Sequence, residues 1–393
     1  MRKIYIVSGY ALPRSCAAAN YIQYLASALV ECGYELHICA PKNKMEAYKP
    51  DSVFCHKNVT MHDYICADID SFIWRIQNRL NLNNENKPLF LKKTKFTSDD
   101  VIIIYNVNFS QLLQMIRLRN KYSCKIICCP TEHFELNNMS GKHIVYKYLK
   151  YAFAYRYLVP RMDLNLSISR KIDQLISMHG GKSFVLPIMA DVSEQCPDKM
   201  VDSTYKLIYP NNGNFREAVI NVFRALCKLD QASLNKIEFH VNNVDKEAIR
   251  CELGSENFEK IQQRVVFHPW MAYDELIALY RKMHFLLLVR EDIHRNHYNF
   301  PSKVPETMTC GIVPIINDLS DDCVQLYLQD DNNSIILRDN TEESCLRAIS
   351  KVASMDAGSY EALSRAARRT AETRFDYHNW VGVLLKEIES LFA

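Results

Sequence analysis

Residues 290–317 read REDIHRNHYNFPSKVPETMTCGIVPIIN, and an apolar run lies on either side of their polar part. The preceding run, residues 285–289, and the closing run, residues 312–316, have the length and composition of buried strands. Between them we predict a polar loop followed by a short helix. The helix has three sequence signals: Ser302 as N-cap, Pro305 in the first turn and Gly311 at the end.

This strand–loop–helix–strand segment has the chemistry of an anion site. The start of a helix presents unpaired N–H groups, and Lys303 and Arg290 add formal positive charge. Glu306, one turn further on, is suited to accept hydrogen bonds from the diol of a sugar. The spacing therefore fits a nucleoside diphosphate, with phosphates near Ser302 and Lys303 and the ribose near Glu306. The alternative is an ordinary capped helix with a Glu near its positive end.

Residues 300–303, Glu306 and residues 310–315 (FPSK, E and CGIVPI) resemble the donor-nucleotide signature of GT-B glycosyltransferases. The closest resemblance is to the retaining family-four-like enzymes (glycosyl transferases group 1) of bacterial surface polysaccharide synthesis. Many of these enzymes carry a Glu eight positions before the ribose Glu, where this sequence has Tyr298. Glu291 and Asp292 are candidates to replace it. The donor-binding residues that the resemblance implies are Glu306, Lys303, Ser302, Arg290, Arg216, Gly213, Tyr298 and Asn299.

Arg216 and Gly213 belong to a second loop, residues 210–216 (PNNGNFR), which follows an apolar run at residues 206–209. In the family this loop lies under the donor diphosphate and carries a basic pair. Here only Arg216 is in register, because no Lys-Gly follows it. The resemblance thus implies an incomplete basic clamp, with Arg290 and Lys303 as the remaining cations.

The composition is that of a globular protein long enough for two domains, with 393 residues and 48% hydrophobic residues. A net charge of +3 does not imply nucleic acid as a partner. The 14 cysteines lie in apolar segments and are typical of reduced thiols. No stretch has the length of a membrane span, and the N-terminal apolar run is too short for a signal peptide. We therefore expect a cytoplasmic protein, with the inner face of the membrane as an alternative location.

Strands and helices alternate along the chain, which predicts an α/β protein with parallel sheets. No G-x-G-x-x-G follows the first strand, residues 4–7. The resemblance extends over nearly the whole chain and implies a GT-B fold of two Rossmann-like domains facing across a cleft. The expected organisation is an acceptor-binding domain (1–192), a linker (193–204), a nucleotide-sugar-binding domain (205–375) and a C-terminal helix that crosses back to the first domain (376–393).

Two segments of the first domain are candidates for acceptor chemistry. Glu132 and His133 directly follow an apolar strand, and ligands of α/β sheets gather at the carboxyl ends of strands. The segment resembles a turn found at this place in bacterial GT-B transferases, so both residues are candidates to orient or deprotonate the acceptor hydroxyl. The family match also implies Gly9, Arg14 and Asn20 as residues of the cleft. For each residue a purely structural role is the alternative.

Residues 142–161 (KHIVYKYLKYAFAYRYLVPR) interleave basic residues with tyrosines. On a helix this pattern places cationic stems beside amphipathic rings, which suits anionic headgroups or a lipid-linked diphosphate. The alternatives are a helix that packs its tyrosines on the sheet, and RNA stacking, for which no module is recognisable.

The sequence predicts a hexosyltransferase-type glycosyltransferase that moves a sugar from a nucleoside diphosphate to a hydroxyl of a lipid-linked glycan, as in capsule or lipopolysaccharide synthesis. The resemblance implies retention of anomeric configuration. No ligand cluster or Asp-x-Asp is evident, so we expect neither a metal nor another cofactor. Two alternatives stay open: a GT-B nucleotide-sugar 2-epimerase, and a catalytically degenerate GT-B domain that acts as a partner or regulator.

Overall fold

The structure is a computed structural model that describes residues 2–14, 16–43, 46–63, 91, 93–136, 144–193, 199, 203–210, 217–319 and 324–393. The chain forms two compact units, Met1–Met189 with Tyr377–Ala393 and Ala190–Asp376. The boundary after Met189 lies just before the segment in which the sequence places the linker.

The first unit is built on a parallel sheet. Its described strands are β1 (Lys3–Val7), β2 (Glu35–Ala40), β3 (Val59–Asp63), β4 (Val101–Tyr105), β5 (Lys125–Cys129), β6 (Leu164–Ser167) and β7 (Ser183–Val185). They are arranged in the order β3-β2-β1-β4-β5-β6-β7. Strand β4, with the sequence VIIIY, is buried at every position, as expected for a parallel strand covered on both faces. The described helices before the second unit are α1 (Ala17–Glu31), α2 (Phe109–Tyr122), α3 (Ile144–Phe153) and α4 (Arg170–Ser177).

Local sequence signals set the ends of these helices. The side chain of Asn108 caps α2 by accepting from the backbone N–H groups of Ser110 and Gln111, at 3.0 and 3.2 Å. Helix α1 ends before Gly33, which has φ +84°, a backbone conformation that glycine adopts at little cost. The predicted end of the first helix at this glycine is confirmed.

The second unit repeats the plan with strands β8 (Tyr205–Pro210), β9 (Ile237–Asn242), β10 (Val265–His268), β11 (Phe285–Leu288), β12 (Val313–Asn317) and β13 (Ile335–Leu337). All pairings are parallel, in the order β10-β9-β8-β11-β12-β13. Its described helices are α5 (Val219–Lys228), α6 (Gln231–Asn235), α7 (Lys246–Leu253), α8 (Ser255–Ile261), α9 (Tyr273–Tyr280), α10 (His294–Tyr298), α11 (Lys303–Met308), α12 (Val324–Tyr327), α13 (Glu342–Ser354) and α14 (Ala357–Thr370). The predicted α/β fold with two Rossmann-like domains is confirmed.

The last helix, α15 (His378–Glu389), belongs to the first unit. The thiol of Cys32 donates to the carbonyl of Val381 at 3.3 Å, and the hydroxyl of Tyr34 donates to Glu389 Oε1 at 2.8 Å. These contacts attach the end of the chain to the segment that links α1 with β2.

In both sheets, a Glu and a His of one strand form a hydrogen-bonded row with a His of the outermost described strand. In the second unit, His240 Nδ1 lies 2.9 Å from His268 Nε2, and His240 Nε2 lies 2.5 Å from Glu238 Oε1. The two imidazole rings are stacked at 5.1 Å. The first sheet repeats this arrangement with His62 on β3 and with Glu35 and His37 on β2.

Strand order places the ligand-binding edge of each sheet. The order reverses direction between β1 and β4 in the first sheet and between β8 and β11 in the second. In open α/β sheets, ligands bind at such a switch point, beyond the carboxyl ends of the strands. The loops after β8 and β11 are therefore the place to look for a site in the second unit.

Candidate functional site

Arg290 is the centre of a buried polar cluster in the loop after β11. It is 6% exposed, and its Nη2 donates to the side-chain oxygens of Asn296 and Asn299, both at 2.6 Å. The backbone of Arg290 exchanges hydrogen bonds with the side-chain amide of Asn317 at 2.8 and 2.9 Å. This asparagine cluster fixes the path of the loop from β11 to α11. The predicted contact of Arg290 with a donor phosphate stays a prediction.

Ser302 directly precedes α11, as predicted, but its side chain does not cap the helix. Ser302 has helical backbone angles, φ −56° and ψ −24°, and its side chain makes no capping hydrogen bond. The first turn begins one residue earlier, because the N–H of Val304 bonds to the carbonyl of Pro301 at 3.0 Å. Since α11 is only six residues long, the partial positive charge at its start is weak.

The predicted end of α11 at Gly311 is confirmed. Gly311 has φ +66° and lies in a Schellman motif. Its N–H bonds to the carbonyl of Met308 at 2.9 Å, and the N–H of Ile312 bonds to the carbonyl of Thr307 at 3.3 Å. A Cβ at Gly311 would also come within 3.0 Å of Ser364 Oγ, which donates to the Gly311 carbonyl. The turn into β12 therefore requires glycine.

Lys303 is the cation that this short helix presents, and it has an acidic partner. Its Nζ lies 2.6 Å from Glu217 Oε1 and also donates to the carbonyl of Pro210. The side chains of Lys303 and Glu217 are 20% and 10% exposed. The backbones of Glu217 and Arg290 pair as an antiparallel bridge, so the ion pair joins the loops after β8 and β11.

Glu306 follows Lys303 by almost one helical turn, and its side chain is partly exposed. It lies within electrostatic range of the Tyr280 hydroxyl, whose pKa is raised, mainly by burial and also by the charge of Glu306. Burial likewise raises the pKa of Tyr209, with Glu217 and Glu291 as neighbouring charges. Both buried phenols thus have Glu217 among their neighbouring charges.

Glu291 and Asp292, the candidates to replace the usual Glu at position 298, each have a polar partner. Glu291 Oε2 accepts from the amide of Asn340 at 3.0 Å. Asp292 is exposed and lies 2.6 Å from His297 Nε2. Tyr298 itself contacts the His294 ring, with centroids 4.6 Å apart. Arg216 and Gly213, the predicted residues of the other loop, lie outside the described residues.

In the first unit, the turn after β5 places Glu132 and His133 against two tyrosines. The hydroxyls of Tyr151 and Tyr155 donate to the carbonyl of Glu132 at 2.5 and 2.6 Å. Both rings contact the His133 imidazole, with centroid distances of 5.9 and 5.1 Å. Burial raises the pKa of both phenols, so they remain neutral donors. Tyr151 and Tyr155 therefore position this turn, as the packing alternative for residues 142–161 requires.

Gly9, Arg14 and Asn20 lie on the loop that follows β1 and on the first turn of α1. Gly9 is exposed, and a Cβ there would meet no atom within 4 Å. Arg14 has φ +46°, and the N–H of Asn20 bonds to the Cys16 carbonyl at 3.2 Å. The three residues are at the carboxyl end of β1, beside the switch point of the first sheet, and their role in ligand binding stays a prediction.

The other face of α3 and of the π-helical turn Ala154–Leu158 is exposed. We call it the aromatic face; its five large apolar residues, between 42% and 59% exposed, are Val145, Tyr146, Leu149, Phe153 and Tyr157. The Lys150 ammonium lies 4.4 Å from the Tyr146 ring centre, and the Arg156 guanidinium lies 5.5 Å from that of Tyr157. Four tyrosines of this segment thus fall into two groups. Tyr151 and Tyr155 contact the turn at Glu132, and Tyr146 and Tyr157 are exposed.

Sequence reasoning missed Glu217 as the partner of Lys303 and Asn296 as a partner of Arg290. The signal for Asn296 was its spacing of six residues from Arg290 on the same loop. For Glu217 no local signal exists, because it lies far from Lys303 in the chain.

Across the part of the chain that the structure describes, no group of three or more His, Cys, Asp or Glu residues could hold a metal ion. No helix among the described residues is long and apolar enough to cross a membrane.

The chain resembles known proteins in sequence over part of its length and in fold over all of it. Residues 233–386 match a family model described as glycosyl transferase-like. A sucrose-phosphate synthase from Thermosynechococcus elongatus superposes with a TM-score of 0.75 at 12% identity, covering 100% of this chain and 99% of that one. Anabaena HepE in complex with UDP and glucose gives 0.67 at 12% identity, covering 99% and 100% of the two chains.

The lipopolysaccharide outer core galactosyltransferase WaaB also matches, with a TM-score of 0.61 at 17% identity, covering 100% of this chain and 99% of that chain. A comparison with curated protein sequences gives no significant match. Together the matches confirm the predicted GT-B architecture over the length of the chain, and the family model covers most of the second unit.

Proposed function

We propose that this chain, a glycosyltransferase of the GT-B fold, moves a sugar from a nucleoside diphosphate to a hydroxyl of a lipid-linked glycan, with retention of configuration. The observation that carries the proposal is the pair of Lys303 and Glu306 on α11, next to the switch point of the second sheet. A cation and a carboxylate separated by almost one helical turn suit the phosphate and the ribose of one nucleotide.

The donor diphosphate leaves with developing negative charge, and a cation held in place before the reaction stabilises it without reorganisation. Lys303 meets that requirement because Glu217 and the Pro210 carbonyl already fix its ammonium group. The asparagine cluster around Arg290 holds the loop that leads from β11 to α11. HepE and a trehalose-related Escherichia coli protein are described with UDP and with UDP-2-fluoroglucose, so uridine nucleotides are the first donors to test.

The acceptor hydroxyl needs a group that orients it or takes its proton. Glu132 and His133 are our candidates, because Tyr151 and Tyr155 hold their turn at the carboxyl end of β5. A fixed turn matters here, since a misplaced catalytic group loses much of its effect.

We further propose that the aromatic face binds an anionic membrane surface, where a lipid-linked acceptor would be found. Exposed rings and Leu149 supply apolar area, and Lys150 and Arg156 supply charge beside the rings. This combination favours an interfacial helix. A role in surface polysaccharide synthesis rests on this proposal and on the sequence resemblance.

One observation favours the non-catalytic alternative. Lys303 already has a carboxylate partner without a ligand, and Tyr298 occupies the position of the usual Glu. A degenerate domain that serves as a binding partner would retain such a satisfied pair. An epimerase would differ from both, because it would convert the donor sugar without any acceptor.

The deciding experiment is thermal stabilisation by nucleoside diphosphates and their sugars, starting with UDP and UDP-glucose. At a hundred times its dissociation constant, a ligand adds about 2.7 kcal/mol to the stability of the folded state. We expect a shift with one base that Lys303→Ala and Glu306→Ala abolish. Glu343→Gln, an exposed carboxylate paired with Arg347 on α13, is the matched control and should bind like the wild type. No shift with any nucleotide would favour the degenerate domain.

The membrane proposal is tested by sedimentation with vesicles that contain or lack an anionic lipid. We expect binding only to the anionic vesicles, weakened by salt. Leu149→Ser and Lys150→Gln should each reduce it several-fold. Met178→Ser, at a more exposed apolar position after α4, should leave it unchanged. Equal binding of all variants would exclude the aromatic face as the contact.

A further inference from the structure

Glu217 is a buried carboxylate whose two oxygens have different surroundings. Its side chain is 10% exposed, and Oε1 accepts from Lys303 Nζ at 2.6 Å. Oε2 is shielded from solvent and has no hydrogen-bond partner in the described structure. A buried acceptor without a donor is costly, and such groups are rare in folded proteins. Oε2 therefore has an unused capacity to accept a hydrogen bond.

A second buried polar atom lies in the same region. The Tyr280 hydroxyl is also buried and, among the described residues, has no hydrogen-bond partner. It is within electrostatic range of both Glu217 and Glu306, which connects it to the predicted ribose contact. Tyr280 is the last residue of α9, and Glu217 lies just before α5.

The chemistry of the free oxygen separates two related nucleotides. A sugar hydroxyl can donate a hydrogen bond to Oε2. The terminal phosphate of a free nucleoside diphosphate offers acceptor oxygens and, because a second phosphate proton has a pKa of about 6, carries more negative charge at neutral pH. A carboxylate beside Lys303 repels that extra charge.

We propose that Glu217 is the specificity residue that distinguishes a sugar-bearing nucleotide from the free nucleoside diphosphate. The inference rests on the proposed function, in which Lys303 holds the diphosphate. It assigns Glu217 two tasks: one oxygen orients Lys303, and the other accepts from a hydroxyl of the donor sugar. The same repulsion promotes release of the nucleotide after the sugar has left.

Isothermal titration at pH 7.5 tests the inference, with UDP and UDP-glucose first and the other nucleoside diphosphate pairs next. The quantity to compare is the ratio of the two dissociation constants. A poorly oriented Lys303 weakens both nucleotides alike, so the ratio isolates the sugar contact and the repulsion. We expect Glu217→Gln to reduce the preference for the sugar-bearing nucleotide about tenfold, and Glu343→Gln to retain the wild-type ratio.

Glu217→Asp keeps the charge but shortens the reach, so it should still bind the free diphosphate weakly and lose affinity for the sugar nucleotide. It carries the test if Glu217→Gln does not fold. An unchanged ratio in both variants, with normal wild-type binding, would overturn this inference and leave the proposed function intact. Failure of the wild type to bind any nucleotide would instead overturn the proposed function, and this inference with it.

Discussion

Replacement of Arg290 by Met tests whether this arginine supports the loop or binds the ligand. Met keeps an unbranched apolar stem but removes the guanidinium that reaches Asn296 and Asn299, both at 2.6 Å. Hydrogen bonds from a charged donor contribute about 1.5–3 kcal/mol each. The contact to the Asn296 carbonyl, at 3.4 Å, is at the limit of hydrogen bonding and adds little.

Taking the lower value for the two short bonds, we expect Arg290→Met to cost about 3 kcal/mol of the stability of the second unit. For a domain of this size, that corresponds to a melting temperature lower by about 6–12 °C. The assay is thermal unfolding without ligand, combined with hydrogen exchange of peptides from residues 290–310. These peptides should lose protection, while those of the first unit should not.

Arg224→Met is the matched control in the same unit. Arg224 donates to Glu252 at 2.7 Å, but both side chains are about half exposed, so its loss should cost less than about 1 kcal/mol. The reasoning would be refuted if Arg290→Met melted like the wild type while losing nucleotide affinity tenfold or more. The guanidinium would then be a ligand contact and not the centre of the asparagine cluster.

Three further predictions follow from individual contacts. Gly311→Ala should lower stability by about 1–2 kcal/mol in urea unfolding, because alanine is strained at φ +66°; an unchanged midpoint would contradict the Schellman motif. Burial lowers the pKa of His240 and His268 below the ordinary value of 6.5. The unfolded chain then binds more protons near pH 6, so the free energy of unfolding should rise with pH through that range and fall below it. In melting curves at pH 5.5 and 7.5, His240→Gln should show a weaker dependence on pH than the wild type. Tyr155→Phe removes a 2.6 Å hydrogen bond to the Glu132 carbonyl, so kcat should fall several-fold with an unchanged KM for the donor. Kinetics equal to those of the wild type would show that the turn does not need this hydrogen bond.

The predictions that succeeded from sequence rest on local physics. Parallel strands are covered on both faces, so they appear as continuous apolar runs such as VIIIY in β4 and FLLL in β11. Gly33 and Gly311 end helices because their backbone angles disfavour other residues. The position of α11 between β11 and β12 follows from the same reasoning, since it depends on the order of elements along the chain.

Ser302 shows where local reasoning fails. Ser302 occupies the position before α11, as predicted, but its side chain makes no capping hydrogen bond. A capping serine usually has extended backbone angles, whereas Ser302 has helical ones. Sequence spacing contains no information on this geometry.

The sequence by itself determined the alternation of strands and helices, the glycine ends of α1 and α11, and the segment that carries Lys303 and Glu306. Each of these depends on residues within one or two turns of one another. Only the tertiary structure decided which side chains meet: Glu217 with Lys303, His240 with His268, and Tyr155 with the Glu132 carbonyl. These pairs are distant in the chain and become neighbours through strand order and register, which arise from the packing of the whole sheet.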